Sequence, residues 1–231
     1  MGAIAERYRA VRERVAAAAD IAGRDPADVT IVAVSKTVGP QKIERAMAAG
    51  IHDFGENRAQ DFCDKRALFP DERWHFVGTL QSRKARFVVG KADLIHSVDR
   101  TRLLDVLGRS AAELGTVQAV LLQVNVSGEE QKHGFHPSEV EAALRQSSDY
   151  PNIRIQGLMT MAPLGPPEAA RPTFRGLAEL FARLGGMRFN GVEMRELSMG
   201  MSNDYCVAVE EGATIVRIGR AIFGNGHVQR G

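Results

Sequence analysis

Short apolar runs alternate with longer stretches of helical spacing along the whole 231-residue chain, and no Ser/Gly-rich linker or low-complexity tract interrupts them. That alternation predicts β/α units wound on a parallel sheet. Eight runs read as strands: Thr30–Ser35, His52–Gly55, Trp74–Gly78, Leu94–Ser97, Val117–Val126, Ile153–Met159, Met194–Ser198 and Thr214–Gly219. The first is almost continuous in β-branched and small residues, as in a strand covered on both faces. Between the runs, positions such as Phe174, Leu177, Leu180, Phe181 and Leu184 fall on one helical stripe. Pro40 and Gly50 bracket the segment between the first two strands as a helix start and stop. Ile4, Tyr8, Val11 and Val15, spaced by three and four, predict a further helix ahead of the first strand that plugs or flanks the sheet. Eight such units in a chain of this length predict an α/β fold, a (β/α)8 TIM barrel with an additional N-terminal helix, as a single domain over residues 1–231.

Composition narrows the partners more than the fold. Hydrophobic residues make up 44% and charged residues 25%, ordinary for a soluble protein with one sizeable core. The net charge of +2 is spread without a run of like charges, so nucleic acid is not an expected partner. Cys63 and Cys206 are too few and too far apart for a disulfide framework or a metal site, which suits a reducing cytoplasm. Both read as packed or incidental thiols. Met1 leads into a charged amphipathic stretch, and no segment approaches the roughly 18 apolar residues of a membrane span. A cytoplasmic protein, neither exported nor embedded, is the expectation.

In such a barrel the chemistry belongs at the C-terminal ends of the strands, and here those ends are polar or glycine. Lys36 follows Ile31-Val32-Ala33-Val34, which puts its amine at an apolar mouth. Dehydration there lowers a lysine pKa from about 10.4 and frees the unprotonated amine that condenses with an aldehyde. Pairing of Lys36 with Glu56 or another carboxylate is equally compatible with the local sequence. Two glycine- and serine-rich loops follow the last strands, Leu197-Ser198-Met199-Gly200-Met201-Ser202-Asn203-Asp204 and Arg217-Ile218-Gly219-Arg220-Ala221-Ile222-Phe223-Gly224. Loops in these places frequently bind phosphate, and Ser198, Gly200, Gly219 and Arg220 are suitable donors. The glycines alone would equally serve tight turns; both loops together with Lys36 favour phosphate. Arg217 lies two residues before Gly219, so it faces the same way one layer deeper, within reach of a cofactor ring. A guanidinium only donates, so a ring nitrogen it meets is unprotonated and the ring a poorer electron sink. The alternative for Arg217 is a salt bridge inside the barrel.

Six ordered blocks carry a resemblance over nearly the whole chain: Ala33-Val34-Ser35-Lys36-Thr37, Phe54-Gly55-Glu56-Asn57, Trp74-His75-Phe76-Val77-Gly78-Thr79-Leu80-Gln81, Gly157-Leu158-Met159-Thr160-Met161, Leu197 to Ser202, and Val216 to Gly224. They resemble the pyridoxal-phosphate homeostasis protein family (YggS/PROSC type), whose barrel is similar to the N-terminal domain of alanine racemase. The resemblance implies pyridoxal 5′-phosphate (PLP) held as a Schiff base on Lys36. It implies phosphate held by Ser198, Gly200, Gly219 and Arg220, Arg217 at the ring nitrogen, and Asn57 and Met159 lining the ring. It further implies a non-catalytic carrier that buffers PLP or delivers it to apo-enzymes; the missing second domain and modest size point to a monomer, and no metal site or catalytic residue is expected. After Gln81-Ser82 the family commonly has Asn before Lys; this chain has Arg83-Lys84, which puts in doubt what approaches from that loop. Lys132 reads as part of a solvated basic turn. The alternative is a PLP-dependent amino-acid racemase with Lys36 as one base. Against it, the alanine racemase resemblance stops with the barrel, without the second domain that supplies the opposite-face tyrosine. Phosphate-sugar or nucleotide chemistry on the same barrel would use the loops but has no need of an imine.

Overall fold

The structure, a computed structural model, describes residues 2–129 and 131–224. Met1, Glu130 and the last seven residues of the 1–231 span lie outside the described part.

Eight parallel strands close into a barrel in sequence order: β1 (Thr30–Val34), β2 (Asp53–Glu56), β3 (Arg73–Phe76), β4 (Leu94–Val98), β5 (Gln118–Gln123), β6 (Ile153–Met159), β7 (Val192–Met201) and β8 (Ile215–Ile218). Closure is made by β1 against β8, with Thr30 opposite Ile215 and Ala33 opposite Ile218. Every predicted strand is present. Two ends differ in ways that matter for the site. β5 stops at Gln123 rather than Val126, because the chain turns to meet Phe135 in an isolated bridge at Val124, and the Asn125 side chain donates to the Glu129 carbonyl at 2.9 Å. β7 runs three residues past its predicted end, to Met201.

The helices are α1 (Ala3–Ile21), α2 (Pro40–Met47), α3 (Ala59–Leu68), α4 (Ala85–Val88), α5 (Thr101–Glu113), α6 (Val140–Arg145), α7 (Arg171–Gly185), α8 (Tyr205–Glu210) and α9 (Arg220–Phe223). Pro40 opens α2, and Gly50, at φ +84°, turns the chain after it as the Pro-start, Gly-stop pattern requires. In α7 the stripe of Phe174, Leu177, Leu180 and Leu184 is buried, with Phe181 packed at its margin. Helix α1 flanks the barrel: Ile4, Val11, Val15, Ala18 and Ala19 are buried where it packs on α8 and α9. Arg24, just beyond α1, donates to the carbonyls of Val209 and Ala213 at 3.0 Å, placing a cation at the C-terminal end of α8.

Strand alternation sorts the side chains into two cores. Outward residues such as Phe54, Trp74, Phe76 and Ile95 join the main core beneath the helices, where Phe54 stacks on Trp74 and Phe62 meets both Trp74 and Phe76 edge-on. Inward residues Val32, Leu94, Leu121, Met159 and Ile215 form a small apolar layer inside the barrel. Several other inward positions, among them His75, His96, Ser198 and Arg217, are buried and polar. That polar interior connects the fold to its site.

Candidate functional site

At the C-terminal mouth of the barrel a cavity of about 350 Å³ opens among the loops after β1, β2, β3, β6, β7 and β8. That is within the roughly 300–1,000 Å³ of small-molecule sites. A wider cleft of about 870 Å³ runs under the opposite face, between α1 and the strand starts, and its lining holds exposed arginines rather than a lysine at a strand end. By fold and by chemistry the mouth is the candidate site.

Lys36 is on its wall. β1 ends at Val34, Ser35 turns outward and becomes fully buried against the helices, and Lys36 alternates back toward the mouth. The residue is exposed, so the dehydration expected of its amine from the apolar run is not met: the strand stops two residues before it. The turn is strained. Thr37, at φ +64°, is the one non-glycine residue among those described with a left-handed backbone. Glu56 is not the partner of Lys36. Its carboxylate accepts from Ser35 Oγ at 2.7 Å and from Lys65 Nζ, leaving Lys36 outside that buried pair.

Of the remaining residues expected at the site, Asn57, Arg217, Gly219 and Arg220 line the cavity. Gly78 lets the loops after β2 and β3 close on each other, since a Cβ there would lie 2.3 Å from the Asn57 carbonyl oxygen. Three expected residues are not on the wall. Because β7 extends to Met201, Ser198 sits within the strand, fully buried, between Arg217 Nη1 at 2.6 Å and His96 Nδ1 at 2.8 Å. Met159 belongs to the apolar layer below, and Met161 takes a place on the wall instead. Gly200, at φ +89°, makes room for α8: a Cβ would lie 2.5 Å from that of Ala208.

Ser202, one of the serines quoted above but not singled out, lines the cavity; its Oγ accepts from the backbone N–H groups of Gly219 at 3.2 Å and Ala221 at 3.3 Å. It thereby ties together the two loops expected to bind phosphate. Asp204 secures the same turn by accepting from Met201 N at 2.6 Å, and Asn203 donates to the Gly165 carbonyl at 2.9 Å, fixing the loop after β6. The two-residue period along β7 was the signal available for Ser202, had the strand been drawn to its full length.

Arg217 is buried, donating to Ser198 Oγ and, at 2.9 Å, to the Thr160 carbonyl. Burial pushes its guanidinium down to about 10, against the pull of Asp204, which still leaves it charged at neutral pH. No carboxylate is among its described hydrogen-bond partners, so the in-barrel salt bridge considered for it is not formed. His96, fully buried, is pushed well below the usual histidine value by burial and by His75 and Arg217, so it is neutral. The histidines inside the barrel were not foreseen. Their inward direction was available from the alternation in Trp74-His75-Phe76 and Ile95-His96-Ser97.

The donor set fits a small anionic aromatic aldehyde. The wall offers one primary amine, two guanidinium groups and a hydroxyl bound to two backbone amides, while Gly78 and Gly219 let backbone pack where a Cβ would crowd the Asn57 and Val34 carbonyl oxygens.

Comparison with known proteins agrees with this geometry. The alanine racemase N-terminal domain family model matches residues 6–226. The pyridoxal phosphate homeostasis protein of Aquifex aeolicus is 43% identical, over 95% of this chain and 96% of its own; that of Pseudomonas aeruginosa is 40% identical, over 97% and 96%. The solved structure of PipY from Synechococcus elongatus PCC7942 with PLP bound superposes with a TM-score of 0.82 at 38% identity, covering 96% of this chain and 100% of that one. Alanine racemase from Corynebacterium glutamicum shares the fold, with a TM-score of 0.70 at 16% identity over 96% of this chain and 62% of that one. The chain belongs to the alanine racemase N-terminal domain family and, within it, to the pyridoxal phosphate homeostasis proteins.

Proposed function

We propose that the chain binds pyridoxal 5′-phosphate at the barrel mouth and acts as a carrier that buffers the cofactor and hands it to PLP-dependent apo-enzymes. When bound, the cofactor supplies an aldehyde that condenses reversibly with a primary amine. Lys36 is the amine on the cavity wall. Gly219, Arg220 and the Ser202 hydroxyl between the last two loops would hold the phosphate, while Gly200 shapes that turn from behind. Asn57 would flank the ring, with Met159 supporting the cavity from the layer beneath. Arg217 would face the ring nitrogen and keep it an acceptor, with Ser198 holding the guanidinium rather than the phosphate.

One observation carries the proposal: a lysine at the end of β1 shares a small cavity with the serine-linked turns after β7 and β8. A carrier is favoured over a racemase by the rest of the lining. Racemisation needs proton-transfer groups on both faces of the substrate carbon. Among the described residues, the titratable lining residue beyond Lys36 and the arginines is Asp204, whose carboxylate already holds the Met201 N–H. We further propose a cytoplasmic monomer. No helix among the described residues is long and apolar enough to cross a membrane.

Borohydride reduction of the PLP-loaded protein should add one pyridoxyl group to the intact mass, located on the Lys36 peptide and lost in Lys36→Ala. Reduction without a Lys36 adduct sinks the proposal, and robust turnover of L- or D-amino acids by the loaded protein would replace the carrier with an enzyme.

A further inference from the structure

Inside the barrel, below the cavity, five side chains from β8, β7, β4, β3 and β2 join into one continuous hydrogen-bonded line. Arg217 Nη1 meets Ser198 Oγ at 2.6 Å, Ser198 Oγ meets His96 Nδ1 at 2.8 Å, His96 Nε2 meets His75 Nδ1 at 2.9 Å, and His75 Nε2 meets Asp53 Oδ1 at 3.3 Å. Arg73 closes the lower end with bonds of 2.7 and 2.6 Å to the two Asp53 oxygens. Asp53 and Arg73 also line the cleft on the opposite face, so the line spans the barrel from floor to mouth.

Its two ends fix its direction. A guanidinium can only donate, and a carboxylate can only accept. Ser198 Oγ therefore accepts from Arg217, which sends its own proton to His96 Nδ1. His96 then carries its proton on Nε2 and donates to His75 Nδ1, and His75 in turn donates from Nε2 to Asp53. Every group is satisfied, and both rings are neutral. In the opposite sense His96 Nδ1 donates to Ser198, whose oxygen accepts twice while its proton has no acceptor among the described residues. His75 would also need a second proton to avoid presenting a lone pair to Asp53.

We propose that Asp53, His75, His96 and Ser198 are positioning residues: a hydrogen-bond column with a single polarity that orients the Arg217 guanidinium at the cavity. The charge of Asp53 acts on Arg217 through the direction of four hydrogen bonds instead of by contact, so a change at the floor is felt at the mouth. The effect on a ligand rests on Arg217 facing the ring of bound PLP, as proposed above.

Long-range nitrogen–proton correlation spectra of the ligand-free chain should show both histidines as neutral Nε2–H tautomers. Asp53→Asn ends the column in a group that donates as well as accepts, which removes the fixed polarity, so a share of Nδ1–H tautomer should appear on His75 and His96. With PLP loaded, Ser198→Ala and Asp53→Asn should shift the visible absorbance band of the bound cofactor. Ser198→Ala should also weaken its affinity about tenfold, the loss of one hydrogen bond to a charged group. A native histidine in the Nδ1–H form overturns the column. Correct tautomers with band and affinity unmoved in both variants overturn the positioning role. A native chain that takes up no PLP removes that role together with the carrier proposal, while the tautomers still decide the column.

Discussion

Burial and hydrogen bonding pull the ionisation of Asp53 in opposite directions. Burial raises its pKa, but the hydrogen bonds from His75 and Arg73 together with the Arg73 charge prevail and hold it down to about 2, from a usual 3.8. The folded form therefore binds its proton less readily than the unfolded chain. The resulting stability is fully present above about pH 4 and is lost as pH falls through about 2. Asp53→Asn should flatten the stability-against-pH curve in that window, measured by acid titration of the far-ultraviolet circular dichroism; an unchanged curve would remove Asp53 from acid unfolding. Thr37 offers a second test. A β-branched residue at φ +64° stores strain that glycine avoids, so Thr37→Gly should stabilise the fold by about 0.5–1 kcal/mol in urea denaturation. At this scale the sequence was partly legible. Lys36, Arg217, Gly219 and Arg220 could be found from strand ends and the loops after them and Asn57 came only with the family resemblance, whereas Ser198 and Ser202 exchanged places because three extra residues of β7 shift which serine reaches the mouth. The exposure of Lys36 was hidden as well, since local hydrophobicity does not say where a strand stops.

Strands and helices were more legible than residues, because each repeats one period over several positions. All eight apolar runs became strands, and the stripes of α1 and α7 became buried faces. Registers between strands were not legible; they depend on glycines whose role is set by a neighbour distant in sequence. Gly157 is the sharpest case. It lies opposite Glu196 where the β6–β7 register shifts, at φ +146°, and a Cβ would fall 1.8 Å from the Glu196 carbonyl oxygen. Gly157→Ala must part the two strands and should cost about 2–4 kcal/mol, read as a lower urea midpoint. Gly165→Ala is the control: its backbone is not left-handed and an added Cβ finds ordinary contact with Ala169 at 3.7 Å, so the midpoint should stay within about 0.5 kcal/mol.

As a whole molecule the chain wraps one closed sheet in a layer of helices, with most buried apolar residues in one continuous cluster. We propose that it unfolds as one domain, giving a single calorimetric transition; two resolved transitions would contradict this. If PLP binds only the folded state, free cofactor at a hundred times its Kd adds about 2.7 kcal/mol and raises the melting temperature. Lys36→Ala should lose most of that increase, while its melting temperature without cofactor stays near that of the native chain, because the Lys36 side chain is exposed.

The seam of the cylinder also governs how the protein can be made. Thr30 to Ala33 find their partners at Ile215 to Ile218, nearly the full length of the chain away. On a ribosome, the first seven strands emerge with bare backbone along both outer margins and must wait for the eighth before the cylinder can be sealed. A premature stop ahead of Ile215 therefore does more damage than the number of lost residues suggests, since it leaves two sticky flanks on every molecule synthesised.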